Sequence, residues 1–256
     1  MSEYQNNAYP TILILTPVKD AAPFLPTYFE ALNSLKYPFE NVSLGFLESD
    51  SRDETYEELE HLLPSLRNQF RRVNLWQKDF GFQLPPWLHR GDERIQLSRR
   101  ITLARSRNHL LFHALDDEDW VLWLDVDVIE YSQDIIQQLL STQKLLVQPH
   151  CVLEYGGRTF DQNAWREQGR YHMDSLKAEG DLVKLDAVGG SMLLVFGDVH
   201  RDGLIFPAFP YGKENAKIRK DYWGGEVETE GLGMMALDMG VQPWGMPNLE
   251  IKHRNG

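Results

Sequence analysis

Trp120-Val-Leu-Trp-Leu-Asp125-Val-Asp127 is an apolar run of strand length that delivers two carboxylates, two residues apart, at its carboxyl end. A run with no polar side chain from Trp120 to Leu124 suits a strand covered on both faces, the kind found in parallel sheets flanked by helices. Acids at the end of such a strand are costly to bury bare. A hard divalent cation, Mg²⁺ or Mn²⁺, would relieve the repulsion and could hold a diphosphate, because these ions pair one or two protein carboxylates with phosphate oxygens. The competing reading makes Asp125 and Asp127 solvated or loop-capping acids, since short motifs recur by chance.

Immediately upstream, Glu93 to Leu115 reads as one long helix that carries Arg99, Arg100, Arg105, Arg107 and Asn108 toward this strand. Arg100 and Arg107, seven apart, share a helix face. Guanidinium groups meet phosphate oxygens bidentately, so a cluster running toward a metal site suits a phosphorylated ligand; a solvated basic face is the plainer alternative.

Farther upstream, strand-length and helix-period segments alternate. Thr11 to Leu15 is a β-branched strand expected to stop at Thr16-Pro17, where proline removes a donor. Leu25, Tyr28, Leu32 and Leu35 recur at helical spacing until Tyr37-Pro38. Ser43 to Leu47 is the second strand, and the Ser49 to Thr55 run supplies acceptors for a helix start, with Asp53 as its cap. Tyr56, Leu59, Leu62, Leu63 and Leu66 mark the next helix, and Val73 to Trp76 a third strand. Trp120 to Leu124 is then the fourth. The expectation is an α/β fold with a single, mostly parallel central sheet whose ligands collect beyond the carboxyl ends of its strands.

The second half is less regular: Lys144 to Gln148, Cys151 to Tyr155 and Ser191 to Phe196 read as strands between loops holding Gly156-Gly157 and Gly189-Gly190. Glycine and tryptophan punctuation there suggests a substrate-facing lobe, residues 131–256, fused to the regular half, residues 11–130. Two weaker signals are set aside. Gly231 to Ala236 spells a dinucleotide-type fingerprint, but Glu-Thr-Glu precedes it where a buried strand is needed. His109 and His113 have zinc-ligand spacing without the accompanying glutamate.

A length of 256 residues favours one large domain over two small ones. The single cysteine, Cys151, excludes an intrachain disulfide and a cysteine-based zinc site. A net charge of −12 argues against broad binding to nucleic acid or to anionic membrane. No apolar run reaches membrane-spanning length, and Met1 to Pro10 has neither a basic nor an apolar leader segment, so the expected location is the cytoplasm.

Seven stretches in order carry a family resemblance: LTPVKD (Leu15 to Asp20), LGFLESDSRDET (Leu44 to Thr55), RRITLARSRNHLL (Arg99 to Leu111), WVLWLDVDV (Trp120 to Val128), DQNAW (Asp161 to Trp165), VGGSMLLV (Val188 to Val195) and ETEGLG (Glu228 to Gly233). Together they resemble the fungal mannan-polymerase family of α-mannosyltransferases, whose fold is the GT-A glycosyltransferase fold. The resemblance implies transfer of mannose from GDP-mannose, with Mn²⁺, to a glycan or other hydroxyl acceptor and with retention of anomeric configuration. It also implies a homo-oligomer or a polymerase complex. Fungal members are Golgi type II membrane proteins, and this sequence shows no anchor, so compartment and acceptor do not carry over.

Roles follow from the resemblance residue by residue. Asp125 and Asp127 face the ribose and the metal, with His253 completing the metal shell. Thr16, Pro17 and Asp50 follow the first two strands, where a nucleoside would lie; Arg100, Arg107, Asn108 and Gly190 complete the donor site. Asn163, Trp165 and Trp223 are expected to hold the acceptor. Glu228 and Glu230, with Asp125, are the candidate catalytic groups, although a helix N-terminus would also tolerate the two glutamates. A retaining transfer needs no side-chain base if the leaving diphosphate takes the acceptor proton, so most catalysis is assigned to the metal as Lewis acid. Two other readings stand: a haloacid-dehalogenase-like phosphohydrolase with Asp125 as nucleophile, and a non-catalytic nucleotide-sugar-binding subunit of a polymerase complex.

Overall fold

The computed structural model describes residues 9–85, 87–88, 92–212 and 226–254. In chain order the elements are β1 (Ile12–Val18), α1 (Leu25–Asn33), β2 (Val42–Glu48), α2 (Thr55–Gln69), β3 (Arg72–Gln77), α3 (Glu93–Ala114), β4 (Trp120–Leu124), β5 (Val128–Glu130) and α4 (Ile135–Ser141), followed by β6 (Leu146–Val152), β7 (Trp165–Arg166), β8 (Tyr171–His172), α5 (Met173–Leu176), β9 (Val183–Lys184), β10 (Met192–Phe196), α6 (Gly197–Arg201), α7 (Glu228–Asp238) and β11 (Trp244–His253). One nine-stranded sheet runs β3-β2-β1-β4-β10-β6-β11-β5, with β9 against β11, and β7 and β8 form a separate hairpin.

Neighbours β3, β2, β1 and β4 are all parallel, as the alternation of apolar strands and helices requires. The antiparallel β10 is wedged between β4 and β6, and β6 and β11 then run in the direction of β4 again. Strand alternation splits the core across the sheet. Ile12, Ile14, Leu122 and Leu124 pack with Leu32 of α1, Leu59 of α2 and Ile135 of α4. Leu13, Leu15, Val121 and Trp123 pack with Leu110 of α3, Val199 of α6 and Leu232 of α7. Each inner strand is therefore apolar on both faces because each face is roofed by helices. Gly45 lets α3 approach β2: a Cβ there would lie 2.7 Å from Leu15 Cδ2 and 3.2 Å from Ala114 Cβ.

Two strand boundaries differ from expectation. β1 does not stop at Thr16-Pro17 but runs to Val18, pairing Pro17 with Leu47 of β2. Its pairing with β4 ends at Leu15 and Trp123, so proline occupies a stretch with one strand neighbour, where a missing N–H is tolerated. Lys144 to Gln148 and Cys151 to Tyr155 are not two strands. His150 and its neighbours continue the ladder as β6 through Val152, where Gly156 and Gly157 then turn the chain.

Candidate active site

The carboxyl ends of β1, β2 and β4 open into a cleft of about 300 Å³ bounded by Pro17, Asp50, Phe82, Arg99, Arg107, Asp125 and Asp127. A second recess of about 530 Å³ shares Arg99, Arg107, Asp125 and Asp127 and adds Asp161, Asn163, Gly190, Glu228 and His253. Asp125 and Asp127 thus form the ridge between two recesses. Their placement is a backbone consequence: Asp125 N–H donates to Ser191 O (2.9 Å) and Val128 N–H turns back to Asp125 O (3.2 Å), ending β4 in a tight turn. Arg254 N–H donates to Asp127 O (3.0 Å), which brings the end of β11 to the same turn.

Arg107 is the charge centre of this ridge. Its side chain is 4% exposed, with Nη2 donating to Asp125 Oδ1 at 2.8 Å and Nε lying 2.9 Å from Glu228 Oε1. The Nε contact is an ion pair without hydrogen-bond alignment, and Nη1 is buried with no hydrogen-bond partner. Burial raises the Asp125 carboxyl to about 6; Arg107 opposes the rise, and Asp127, Asp161 and Glu228 add to it. Gly190 is required here because a Cβ would stand 2.6 Å from Arg107 Nη2.

Across the ridge, His253 Nε2 sits 3.0 Å from Asp127 Oδ1, and its ring stacks on Phe160 at 4.0 Å. Burial disfavours the imidazolium, but the Asp127 carboxylate and the Arg254 carbonyl outweigh it and hold the His253 pKa above its ordinary value. Asp161, the first residue of the DQNAW stretch, braces the second recess. Its Oδ2 accepts from Gly190 N–H (2.8 Å), Ser191 N–H (3.1 Å) and Ser191 Oγ (3.0 Å). An aspartate at the head of a loop carries this signal only weakly in sequence, because its partners lie some 30 residues downstream.

Several expected site residues are placed differently. Thr16 is fully buried, its hydroxyl paired with Tyr28 OH at 2.8 Å, so its side chain does not reach the cleft. Pro17 lines it. Asp50 also lines it, yet its carboxylate is occupied, accepting from Phe80 and Gly81 N–H groups at 2.9 Å each. Asp53 is not the cap of α2: the N-cap position is Glu54, and Asp53, one residue earlier, accepts from Thr55 N–H at 3.2 Å from just outside the helix. Arg100 lies in the second recess rather than beside Pro17 and Asp50, and its Nη2 is held by Glu230 Oε2 (2.5 Å) and Val227 O (2.6 Å). Asn108 faces away from both recesses and exchanges two hydrogen bonds with the Phe206 backbone.

Glu228 opens α7 with φ of 57° and stays in the second recess. Glu230 instead lines a neighbouring pocket with Trp165, Asn163, His172 and Glu226, and its Oε1 accepts from Trp165 Nε1 at 2.7 Å. Both glutamates therefore already serve as partners to buried cations or donors, which neither their spacing nor their helix position shows. Trp165 is buried beneath Glu230 rather than presenting a face to solvent. Asn163 lines both recesses next to it, donating to Thr229 Oγ1 at 3.3 Å. Trp223 lies outside the described residues. His109 and His113 stack on each other at 4.0 Å on the far part of α3, and His113 Nδ1 is paired with His109 O.

The donor chemistry near Asp127 suits a hard divalent ion: carboxylate oxygens and one imidazole nitrogen at the edge of an open cleft. Among the described residues no group of three His, Cys, Asp or Glu side chains is arranged to enclose a metal. Two or three protein donors completed by phosphate oxygens and water is the usual habit of Mg²⁺-like ions, so the residues fit a cation that arrives with a diphosphate. Asp127 and His253 are the residues that would hold such an ion.

The Anp1 family model matches residues 2–172 and 167–210, most of the chain. The chain belongs to the Anp1 family. Among its relatives, the mannan polymerase complex subunit MNN9 of Candida albicans is 29% identical across 95% of this chain and 74% of its own length. The mannan polymerase II complex anp1 subunit of Schizosaccharomyces pombe is 30% identical across 94% of this chain, which spans 63% of that protein. Of solved structures, a mannosyltransferase of Pyrobaculum calidifontis in complex with GDP-Man and Mn²⁺ superposes with a TM-score of 0.57 at 15% identity, over 95% of this chain and 56% of that one. GalNAc-T7 with UDP, GalNAc and Mn²⁺ gives 0.60 at 13% identity, over 98% and 45%. This Anp1-family chain thus has the GT-A glycosyltransferase fold. That fold leaves the phosphohydrolase reading without support, since Asp125 follows the fourth strand and is held by Arg107 instead of standing free as a nucleophile.

Proposed function

We propose that this protein is a retaining α-mannosyltransferase that moves mannose from GDP-mannose to a glycan or other hydroxyl acceptor, with Mn²⁺ or Mg²⁺ assisting departure of GDP. The observation that carries the reading is the ridge of Asp125 and Asp127, backed by Arg107 and His253, at the junction of two recesses. Family membership and relatives named as mannan polymerase subunits support the sugar. A neighbour of the same fold holding GDP-Man and Mn²⁺ supports donor and metal.

In this reading the nucleoside lies in the recess of Pro17, Asp50 and Phe82, and the diphosphate reaches the ridge. Asp127 and His253 would hold the cation, with Asp125 beside them; the ion, when bound, neutralises charge on the departing diphosphate. Arg107 favours the ionised form of Asp125 and orients it. Asp161 fixes the Gly190-Ser191 backbone that floors the second recess, where the sugar and acceptor would meet. Asn163 lines that recess and is available to acceptor hydroxyls, whereas Glu228 is buried in its wall, its carboxylate held by Arg107 and the Thr229 hydroxyl. A role as a donor-binding subunit without turnover remains the second reading, favoured by relatives named as complex subunits.

Calorimetric titration with GDP, with and without Mn²⁺, tests the donor site: metal-enhanced binding is expected, and indifference to GDP and to GDP-mannose overturns the assignment. Mannose transfer or donor hydrolysis, measured with the same protein, separates the enzyme from the subunit.

A further inference from the structure

We propose that Asn108 is a positioning residue that acts at the site through Phe206 and Arg107 without touching any ligand. Asn108 Nδ2 donates to Phe206 O at 2.7 Å, and Phe206 N–H donates back to Asn108 Oδ1 at 2.9 Å. One amide therefore satisfies both backbone groups of a residue 98 positions away, which fixes where the Phe206 ring stands. That ring is fully buried and lies beneath the Arg107 guanidinium at 5.3 Å. Trp123 forms the other wall, 5.5 Å from the guanidinium and 4.8 Å from the Phe206 ring at 81°.

The box is pinned a second time. Trp123 Nε1–H donates to His200 Nε2 at 3.2 Å, which leaves His200 Nδ1–H to donate to Leu204 O at 2.7 Å. Leu204 and Phe206 are thus tied down by two side chains from different helices, α6 and α3. A planar cation held against two ring faces loses rotational freedom, and a desolvated cation–π pair is the stronger kind. Arg107 is then aimed at Asp125 and Glu228 by packing below it as well as by charge above it. Asn108 and Arg107 are adjacent in sequence but project to different partners of α3: one to the backbone of the 204–206 segment, the other to the ridge.

The lever itself is independent of the functional reading; its effect on donor affinity rests on that reading. Three measurements separate them. Protection of the Arg107 Nε–H from hydrogen exchange, followed by NMR in the ligand-free protein, should fall in Asn108→Ala and in Phe206→Leu, a variant that keeps apolar packing. In titrations with GDP, each of these variants should bind about tenfold more weakly, the scale of one lost cation–π contact. In an Arg107→Ala background, Asn108→Ala should change GDP affinity no further. Unchanged Arg107 protection in Asn108→Ala and Phe206→Leu overturns the proposal, as does full additivity with Arg107→Ala. Reduced protection in a protein that does not bind GDP upholds the lever and removes the donor assignment instead.

Discussion

Replacing Arg107 by methionine keeps much of the apolar stem and removes the charge that separates two acids. Arg107 and Glu228 side chains are each 4% exposed, whereas Asp125 is 29% exposed. Deleting one partner of a buried ion pair costs about 3–5 kcal/mol, because the other charge stays in a medium that solvates it poorly. Glu228 suffers most; Asp125 can borrow water from the cleft. Set against a total stability of about 5–15 kcal/mol for an ordinary domain, the loss is large. At roughly 2–4 °C per kcal/mol for a chain of this size, Tm should fall by about 6–20 °C.

The loss should depend on pH, and its sign follows from Asp125. Its folded carboxyl stands at about 6 against an ordinary 3.8, so the folded protein retains a proton that the unfolded chain has released. Stability from this group is therefore present at low pH and is lost as pH rises from about 4 through 6. Arg107 opposes that rise in pKa, so without it the window extends upward and the deficit of Arg107→Met grows toward neutral pH. Urea unfolding without divalent ions, followed by tryptophan fluorescence at several pH values, measures this. Adding Glu228→Gln to Arg107→Met should recover part of the loss. A deficit under about 1 kcal/mol, the range of an exposed pair, or no recovery in the double variant, would refute the account of a buried, charge-compensating guanidinium.

Three further outcomes are expected. Asp127→Ala should remove the Mn²⁺-dependent part of GDP binding in calorimetry and, if turnover is observed, raise its barrier by about 3–4 kcal/mol, the scale of one lost charge-stabilising group; unchanged turnover would end the metal assignment. Asp161→Asn keeps the size but loses the charge that gathers three donors from Gly190 and Ser191; at about 1.5–3 kcal/mol for a hydrogen bond to a charged group, unfolding should show a clear loss, and an unaltered Tm would count against the brace. Burial, with the neighbouring Glu230, raises the Glu226 carboxyl from 4.5 to about 7. Its folded form thus holds a proton that the unfolded chain gives up, and stability from this group is lost as pH rises from about 4.5 to 7. Glu226→Gln should flatten the stability profile across that interval, and a profile of unchanged slope would show that the carboxyl is not held in this way.

Much of the first half was legible residue by residue because local rules and tertiary structure agree there. Trp120–Leu124 is the strand that its apolar run predicts, and α3 ends at Ala114, one residue from the expected Leu115. The boundary at Pro17 was missed because proline rules depend on how many neighbours a strand has at that point, which is a property of the sheet. Beyond residue 130 the strands range from the two-residue β7, β8 and β9 to the ten-residue β11, whose pairing with β6 shifts register between Met246 and Glu250. β10 enters antiparallel between β4 and β6, and no periodicity announces a strand's direction or its neighbours.

The sequence by itself determined the elements that can form around the Trp120–Asp127 stretch, since backbone sterics and burial of apolar faces act over a few residues. It also determined which chemical groups are available: two acids at a strand end, an arginine-rich helix and a late histidine. Only the tertiary structure decided which of those groups face the cleft. Arg100 and Arg107 share a helix face, yet one is held by Glu230 and the other by Asp125 and Glu228. Asn108, next to Arg107 in the chain, spends its amide on Phe206. These pairings join residues from 18 positions apart, Arg107 and Asp125, to 130 apart, Arg100 and Glu230. They follow from which helix roofs which face of the sheet, because each buried charge or polar group must find its partner among whatever the packed layers bring within reach.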